Sequence, residues 1–428
     1  MVIKNKKIPN TWDLKRIGDL GEIVTGSTPN TNVDEYWNGD IPFVSPTDMK
    51  GTRYIKNTER TVTYKGAQVG RIIPKNSVMV TCIASIGKLA ISSQECITNQ
   101  QINTIIPYKD YNHEFLYYAI SNQIPYLQTL AGTTAVPIIN KKTFSNVSIP
   151  VPPINEQRKI AAILSSVDEA IEKTEAIIEQ TEKVKKGLMQ QLLTKGIGHT
   201  KFKKTEIGEI PEEWEVKQLD SIFDFYGGMP FSRSALGEEG VFYLHYGDIH
   251  KTDKRVFNIY SDSKWLPRLD IDKREIKEYS LLNTGDIVFV DASEDTEGIG
   301  KSVVIINDEK KLFVSGLHTI IAKEKKPILD LGYKQYCFSN PFVRKQFVRI
   351  ATGATVYGIS KTNIKQIKIP VPPLEEQKKI GDILQSIETK IHREKEKLNP
   401  LIEIKQGLMQ VLLTGKVRVK VDDEVVSS

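Results

Sequence analysis

Cysteine is scarce in this chain of 428 residues: Cys82, Cys96 and Cys337 are the only three, far apart and odd in number. That excludes a disulfide framework and the paired ligand spacing of a zinc site, and it suits a reducing compartment. Runs of about 18 apolar residues, the length a membrane-spanning helix needs, do not occur. Met1–Asn10 carries lysines but no apolar stretch of signal-peptide length, so the chain is expected in the cytoplasm. Charge bias is slight. A net charge of +6 favours an acidic partner without demanding one, and dedicated DNA-coating proteins are more extreme. With 39% hydrophobic and 26% charged residues the balance is that of a soluble globular protein. The length allows two or three domains whose cores need no covalent staple.

Catalytic signatures are missing as well. The six histidines, His113, His199, His245, His250, His318 and His392, include no metal-binding pair at helical spacing. Gly298-Ile299-Gly300-Lys301-Ser302 ends like a phosphate-binding loop, but Asp295 holds the earlier glycine position and no helix is expected to follow. Asn340-Pro341-Phe342 is one proline short of the Asn-Pro-Pro-aromatic signature with which amino-methyltransferases hold a target amine. No nucleophile elbow and no paired catalytic carboxylates can be placed.

What is present is a sequence written twice. Residues 149–164, Ile-Pro-Val-Pro-Pro-Ile-Asn-Glu-Gln-Arg-Lys-Ile-Ala-Ala-Ile-Leu, return at 369–384 as Ile-Pro-Val-Pro-Pro-Leu-Glu-Glu-Gln-Lys-Lys-Ile-Gly-Asp-Ile-Leu, an offset of 220. Gly187-Leu188-Met189-Gln190 returns at the same offset as Gly407-Leu408-Met409-Gln410. Upstream, Ile8-Pro9 with Trp12 is echoed by Ile210-Pro211 with Trp214, and Ile86-Gly87-Lys88 by Ile299-Gly300-Lys301. A unit of roughly 200 residues occurring twice is a duplicated domain rather than a solenoid.

Each copy closes with a long amphipathic helix. After Pro152-Pro153, apolar positions step by four and three through Ile160, Leu164, Val167, Ile171, Thr174, Ile178, Thr181, Lys185, Leu188 and Leu192. The second copy keeps that register from Ile380 and Leu384 through Ile387, Ile391, Glu394, Leu398, Leu401 and Lys405 to Leu408 and Leu412. These are coiled-coil seams. Neither buries its stripe alone, and the charged and threonine interruptions make each a poor homodimer zipper, so the two are expected to pair within one chain, antiparallel. The proline pairs suit the first helical turn, and Gly196 and Gly415 mark the ends. Pro400 predicts a kink or break in the second helix.

Ahead of each helix, residues 14–150 and 216–370 carry short β-branched runs, such as Ser77–Thr81 and Asp286–Val290, between glycine, proline and asparagine turns. Each reads as an α+β domain, with a helix over Glu114–Ile120 in the first and over Tyr333–Ile350 in the second. Thr25-Gly26-Ser27-Thr28-Pro29 and Tyr226-Gly227-Gly228-Met229-Pro230 are loops in which glycine permits close backbone approach.

The repeated Ile-Pro-Val-Pro-Pro followed by Glu156-Gln157 or Glu376-Gln377, the closing Gly-Leu-Met-Gln element, the Gly-Ser-Thr-Pro turn at 26–29, Asp40-Ile41-Pro42-Phe43-Val44, Ile86-Gly87-Lys88 and Asn99-Gln100 together resemble the specificity subunits of type I restriction-modification systems. The resemblance covers nearly the whole chain. The second copy departs from it at Gly227-Gly228-Met229 and at Gly316-Leu317, which stands where Asn99-Gln100 is expected.

The resemblance implies an α+β protein of two β-rich target-recognition domains joined by two long helices in an antiparallel intramolecular coiled coil. Residues 1–153 are the first recognition domain, 154–198 the first spacer helix, 199–373 the second domain, and 374–428 the second helix and tail. Each domain is expected to read one half of a bipartite, asymmetric DNA target. The helices would set the spacing and dock two modification subunits that methylate adenine N6, while restriction subunits move and cut DNA. Catalysis and its cofactors, S-adenosylmethionine, ATP and magnesium, are expected on those partners and not here. Expected DNA contacts are Thr25, Gly26, Ser27, Thr28, Lys88, Asn99, Gln100, Gly228, Arg233 and Lys301. Spacer and docking residues are Pro152, Pro153, Glu156, Gln157, Ile160, Leu164 and Leu188, with Pro372, Pro373, Glu376, Gln377, Ile380, Leu384 and Leu408. Two other classes remain open at this point: an autonomous nuclease or fused methyltransferase carrying such domains, and a coiled-coil adaptor binding proteins or glycans. Methyl transfer by the chain alone would mark the first. Salt-dependent, sequence-selective binding of duplex DNA would separate the DNA-reading subunit from the second, because phosphate contacts release counterions and weaken with salt.

Overall fold

The computed structural model describes residues 8–132, 136–353 and 355–420, so the outermost parts of the segments 1–153 and 374–428 lie outside the described residues. The chain divides into two compact units: residues 1–177 with 394–428, and residues 178–393.

In the first unit Val78–Thr81, buried at all four positions, is the middle of a five-stranded sheet. Its order is Gly21–Thr25, Ile102–Pro107, Val78–Thr81, Leu89–Ser92 and Tyr54–Ile55, antiparallel except for the parallel last pair. A continuous apolar run suits a strand covered on both faces. A second sheet orders Arg60–Val62, Trp37–Val44, Cys96–Thr98 and Ile72–Ile73. Asp13–Arg16 pairs with Ser148–Val151, which brings the domain's first strand beside its proline pair. The expected helix is present as His113–Ser121, capped by the Asn112 side chain.

The second unit repeats the plan. Its five-stranded sheet runs Phe223–Gly227, Thr319–Glu324, Ile287–Val290, Ser302–Ile306 and Val256–Asn258, again with only the last pair parallel. Beside it lies a sheet of Leu236–Gly237, Arg268–Leu269, Val241–Leu244 and Phe313–Ser315, and Glu215–Gln218 pairs with Lys368–Val371. The single helix expected over Tyr333–Ile350 is instead two, Leu331–Cys337 and Pro341–Ile350. The break has a local cause. Asn340 accepts from the amides of Phe342 and Val343, and Pro341 occupies the first helical turn.

The long helices are Ile154–Lys195 and Leu374–Leu412, each uninterrupted. Pro400 does not break the second: the helix runs through it, with Pro400 on the exposed side. Every seam position named above is buried or half-buried. In the first unit Ile160 and Leu164 share a core with Leu408, Leu412 and Leu413, while Asp168 pairs with Lys405 at 2.6 Å. In the second, Leu188, Leu192 and Leu193 share a core with Ile380 and Leu384, while Lys185 pairs with Glu388 at 2.6 Å. In both units one helix ascends as the other descends, so the pair is antiparallel. No helix among the described residues is long and apolar enough to cross a membrane.

Candidate nucleic-acid interface

Each domain gathers its loops at one end of its smaller sheet. In the first, Trp37–Val44 and Cys96–Thr98 run parallel with Val44 opposite Thr98, so both strands deliver their next residues, Ser45 and Asn99, to the same rim. The glycine loop is stitched onto that rim: the Gly26 amide donates to the Ile102 carbonyl at 3.0 Å and the Ser27 amide to the Thr98 carbonyl at 2.8 Å. A Cβ at Gly26 would sit 2.1 Å from the Asn99 oxygen, so only glycine allows this approach. Thr28 then donates to the Gln100 side chain at 2.7 Å, Asn99 to Gln101 at 3.0 Å, and Thr25 to Asn103 at 2.7 Å. Asp48 fixes the neighbouring turn, accepting from the Ser45 amide and hydroxyl and from the Glu59 amide. The structure therefore joins Thr25, Gly26, Ser27, Thr28, Asn99 and Gln100 in one patch. Lys88 lies beside it, its ammonium donating to the Pro46 carbonyl at 2.9 Å.

The second domain builds the same rim from different side chains. Val241–Leu244 and Phe313–Ser315 run parallel with Leu244 opposite Ser315, delivering His245 and Gly316. Gly228 donates to the Thr319 carbonyl and Met229 to that of Ser315, the counterparts of the Gly26 and Ser27 bonds. A Cβ on Gly228 would lie 1.9 Å from the Gly316 oxygen. Leu317 donates its amide to the Tyr243 hydroxyl, which lies 2.6 Å from the Phe231 carbonyl. Trp265, 82% exposed, precedes the strand antiparallel to Val241–Leu244 and so reaches the same sheet end. Arg233 approaches Asp248 at 3.3 Å, and the other Asp248 oxygen is buried with no hydrogen-bond partner. His318 stands with φ +60° beside Tyr246 and 3.3 Å from Asp291, whose acid form burial favours. Lys301 points back into its own unit and donates to the carbonyls of His250 and Thr252; burial lowers its pKa. The chain then enters the strand Ser302–Ile306, so Gly298–Ser302 is no phosphate loop.

Asp48, Asp248, Trp265 and His318 escaped the sequence reading. The only signal was the match of Ser45-Pro-Thr-Asp48 to His245-Tyr-Gly-Asp248, which is too short to see without the fold.

His245 is the histidine of this rim whose pKa burial lowers. Its Nδ1 accepts from the Gly247 amide at 3.0 Å, which requires the neutral ring. Burial lowers its pKa from 6.5, against the raising charge of Asp248, with Arg233, His318 and Lys251 adding to the lowering. A depressed histidine stabilises the fold above its unfolded pKa and loses that contribution as pH falls from 6.5 toward the folded value. Thermal unfolding of the protein and of His245→Asn, followed between neutral and acid pH, is expected to show the wild type losing its advantage below that pH. A constant gap would contradict it.

The repeated Glu-Gln pair is an internal joint. Gln157 donates to the Pro152 carbonyl and accepts from the Asn112 amide; Gln377 donates to the Pro372 carbonyl and accepts from the Asp330 amide. Each thus fastens a long helix to the cap of its domain's helix. Glu156 accepts from the Trp12 indole at 3.0 Å and from Arg418 at 2.7 and 2.8 Å. Glu376 accepts from the Trp214 indole at 2.8 Å and from the Ile197 amide at 2.9 Å, with His199 at 2.9 Å. The side chains of Glu156, Gln157, Ile160, Leu164, Gln377, Ile380 and Leu384 are buried in their own units, Leu188 and Leu408 half-buried. Pro153 and Pro373 are exposed, and Pro152 and Pro372 buried. Asn340, the residue of the methyltransferase-like tripeptide, caps its helix and donates to the Leu193 carbonyl. Among the described residues, no cluster of three or more His, Cys, Asp or Glu is placed to hold a metal ion.

Two α+β domains with matching rims, alternating with two long helices, define a duplicated specificity protein, and the chain belongs to the type I restriction modification DNA specificity domain family, whose profile matches residues 9–183 and again 211–403. It is 30% identical over 431 residues to the type I restriction enzyme MjaVIII specificity subunit of Methanocaldococcus jannaschii, covering 97% of this chain and 95% of that one. Over 150 residues, 34% of this chain and 33% of the relative, it is 37% identical to the HindI specificity subunit of Haemophilus influenzae. The crystal structure of a type I restriction-modification S subunit from M. genitalium shares the fold, with TM-score 0.59 at 18% identity over 96% of this chain and 98% of that one.

Proposed function

We infer that this chain is the DNA-reading subunit of a type I restriction-modification enzyme, non-catalytic, each domain reading one half of a split and asymmetric target in the cytoplasm. The observation that carries this is the pair of rims: the same backbone bonds, from Gly26 and Ser27 in one domain and from Gly228 and Met229 in the other, frame unlike side chains, Thr28, Asn99 and Gln100 against Met229, Leu317 and His318. Amides and hydroxyls suit base edges such as adenine N6 and N7, whereas apolar side chains suit the thymine methyl and a free carboxylate oxygen suits cytosine N4. Unlike readers on a like frame give a non-palindromic site. Lys88 and Arg233 border the rims as candidates for phosphate contacts, whereas Lys301, bonded to the His250 and Thr252 carbonyls, does not. The segments 1–153 and 199–373 act as readers and 154–198 and 374–428 as spacers. Two methyltransferase subunits dock on the exposed faces of that frame and bring S-adenosylmethionine, while restriction subunits bring ATP and magnesium. A related solved structure is described as showing complex assembly of a type I system, which supports such partners.

The test is a map of methylated adenines in host DNA with the methyltransferase partner, with and without this chain. A split, asymmetric motif that appears only with the chain is expected; an unaltered map would count against the reading.

A further inference from the structure

The lysines that interrupt the apolar seams belong to a polar cluster that the chain builds twice. In the first unit, Lys405 of the second helix holds Asp168 of the first at 2.6 Å, Tyr118 of the helix His113–Ser121 donates to the other Asp168 oxygen at 2.6 Å, and Arg53 donates to the Tyr118 hydroxyl at 2.9 Å. In the second unit, Lys185 of the first helix holds Glu388 of the second at 2.6 Å, Tyr336 of the helix Leu331–Cys337 donates to it at 3.0 Å, and Arg255 reaches it at 3.1 Å. Asp168 and Glu388 are 220 positions apart, as are Lys185 and Lys405. The arginines correspond too, each preceding the short parallel edge strand of its five-stranded sheet, with its carbonyl accepting from Ile91 or Val304. Arg53 and Asp168 are 8% and 7% exposed in their side chains. Although burial pushes Glu388 up, Lys185 and Arg255 hold it below the usual carboxylate range.

Charges withdrawn from water, as Arg53 and Asp168 are, are costly unless paired, and each cluster pairs its charges across three parts: the domain, its own long helix and the opposing helix. We propose that Arg53–Tyr118–Asp168–Lys405 and Arg255–Tyr336–Glu388–Lys185 are positioning clusters that set the angle at which each reading domain is carried on the helix pair, and thereby restrict the enzyme to one half-site separation. This rests on the DNA-reading function proposed above. The clusters differ around their arginines: Arg53 also lies 3.8 Å from Glu114 and from Glu169, whereas Arg255 also donates to the Gln335 carbonyl and the Ser339 hydroxyl. The longer Glu388 side chain meets Arg255 directly, whereas the shorter Asp168 meets Arg53 only through Tyr118.

The experiment is adenine methylation by the full chain assembled with its methyltransferase subunits, on duplexes whose two half-sites are separated by the native spacer or by one base pair more or fewer. Tyr118→Phe, which removes a single hydroxyl, is expected to lower the preference for the native spacer about tenfold, the effect of one charge-assisted hydrogen bond. Tyr336→Phe is expected to change it less, because Arg255 keeps its direct contact. Lys405→Met is expected to act like Tyr118→Phe and Lys405→Arg to retain the wild-type profile. An unchanged profile in folded Tyr118→Phe and Lys405→Met overturns the proposal, as does an equal loss of methylation on every spacer, which marks support of the fold alone. A wild-type enzyme indifferent to the split site would instead sink the DNA-reading function itself.

Discussion

Exchanging residues 14–150 for the equivalent segment of another specificity subunit is expected to replace one half of the methylated motif and leave the other half unaltered. The first rim is built wholly from residues between Thr25 and Asn103, so every candidate base contact of that domain moves with the segment. The joint to the frame stays behind: Trp12, Glu156, Gln157 and Arg418 all lie outside the exchanged stretch. The incoming segment needs an arginine and a tyrosine where Arg53 and Tyr118 stand, so that Asp168 keeps its partners. Each wrong base pair costs about 1–3 kcal/mol, so two or three mismatches in the old half-site weaken binding by about a hundredfold or more. Sequencing of modified adenines reads the result. If both halves changed together, the domains would not be independent readers.

Removal of the joint carboxylates is expected to be the most destabilising surgery short of the apolar core. Glu156→Ala leaves the Trp12 indole N–H without its acceptor in a buried site, and Glu376→Ala does the same to Trp214 while also releasing the Ile197 amide. Buried donors left unmatched cost about 1–3 kcal/mol each, so each substitution is expected to cost about 2–4 kcal/mol in urea unfolding. Arg418→Ala is expected to cost less, because Arg418 is itself 44% exposed and the Trp12 indole still donates to the buried Glu156 carboxylate. Equal costs for Glu156→Ala and Arg418→Ala would show that the indole bond contributes little.

Long-range order in the chain was legible wherever one periodicity ran uninterrupted. Steps of four and three from Ile160 to Leu192 and from Ile380 to Leu412 located both long helices and their facing stripes, and the 220-residue offset located the duplication. Local stops were legible only in part. Asn340-Pro341 is a helix start, yet the apolar pattern across it hid the interruption, and Pro400 looked like a break because its exposure was unknown. The glycine loops and Asn99-Gln100 were found because they are contiguous. Trp265 reaches the rim only through strand pairing, which no local window contains, whereas His318 adjoins Gly316-Leu317 and was hidden by its unlikeness to Asn99-Gln100. The polar clusters were harder still. Lys185 and Lys405 looked like flaws in a zipper, since their partners Arg53, Tyr118, Arg255 and Tyr336 come from distant segments.

The division of the chain into a continuous second unit, 178–393, and a first unit completed by 394–428 sets the order of events during synthesis. When a ribosome has made the first domain and its helix, the stretch carrying Lys405, Leu412 and Arg418 does not yet exist, so Asp168 and Glu156 wait with their charges unmatched. The later domain has all its material first, and the earlier one closes only as the final turns of helix emerge. A nascent chain stalled near residue 393 is therefore a half-finished object with its older end open, and a chaperone acting on this protein would meet its client there.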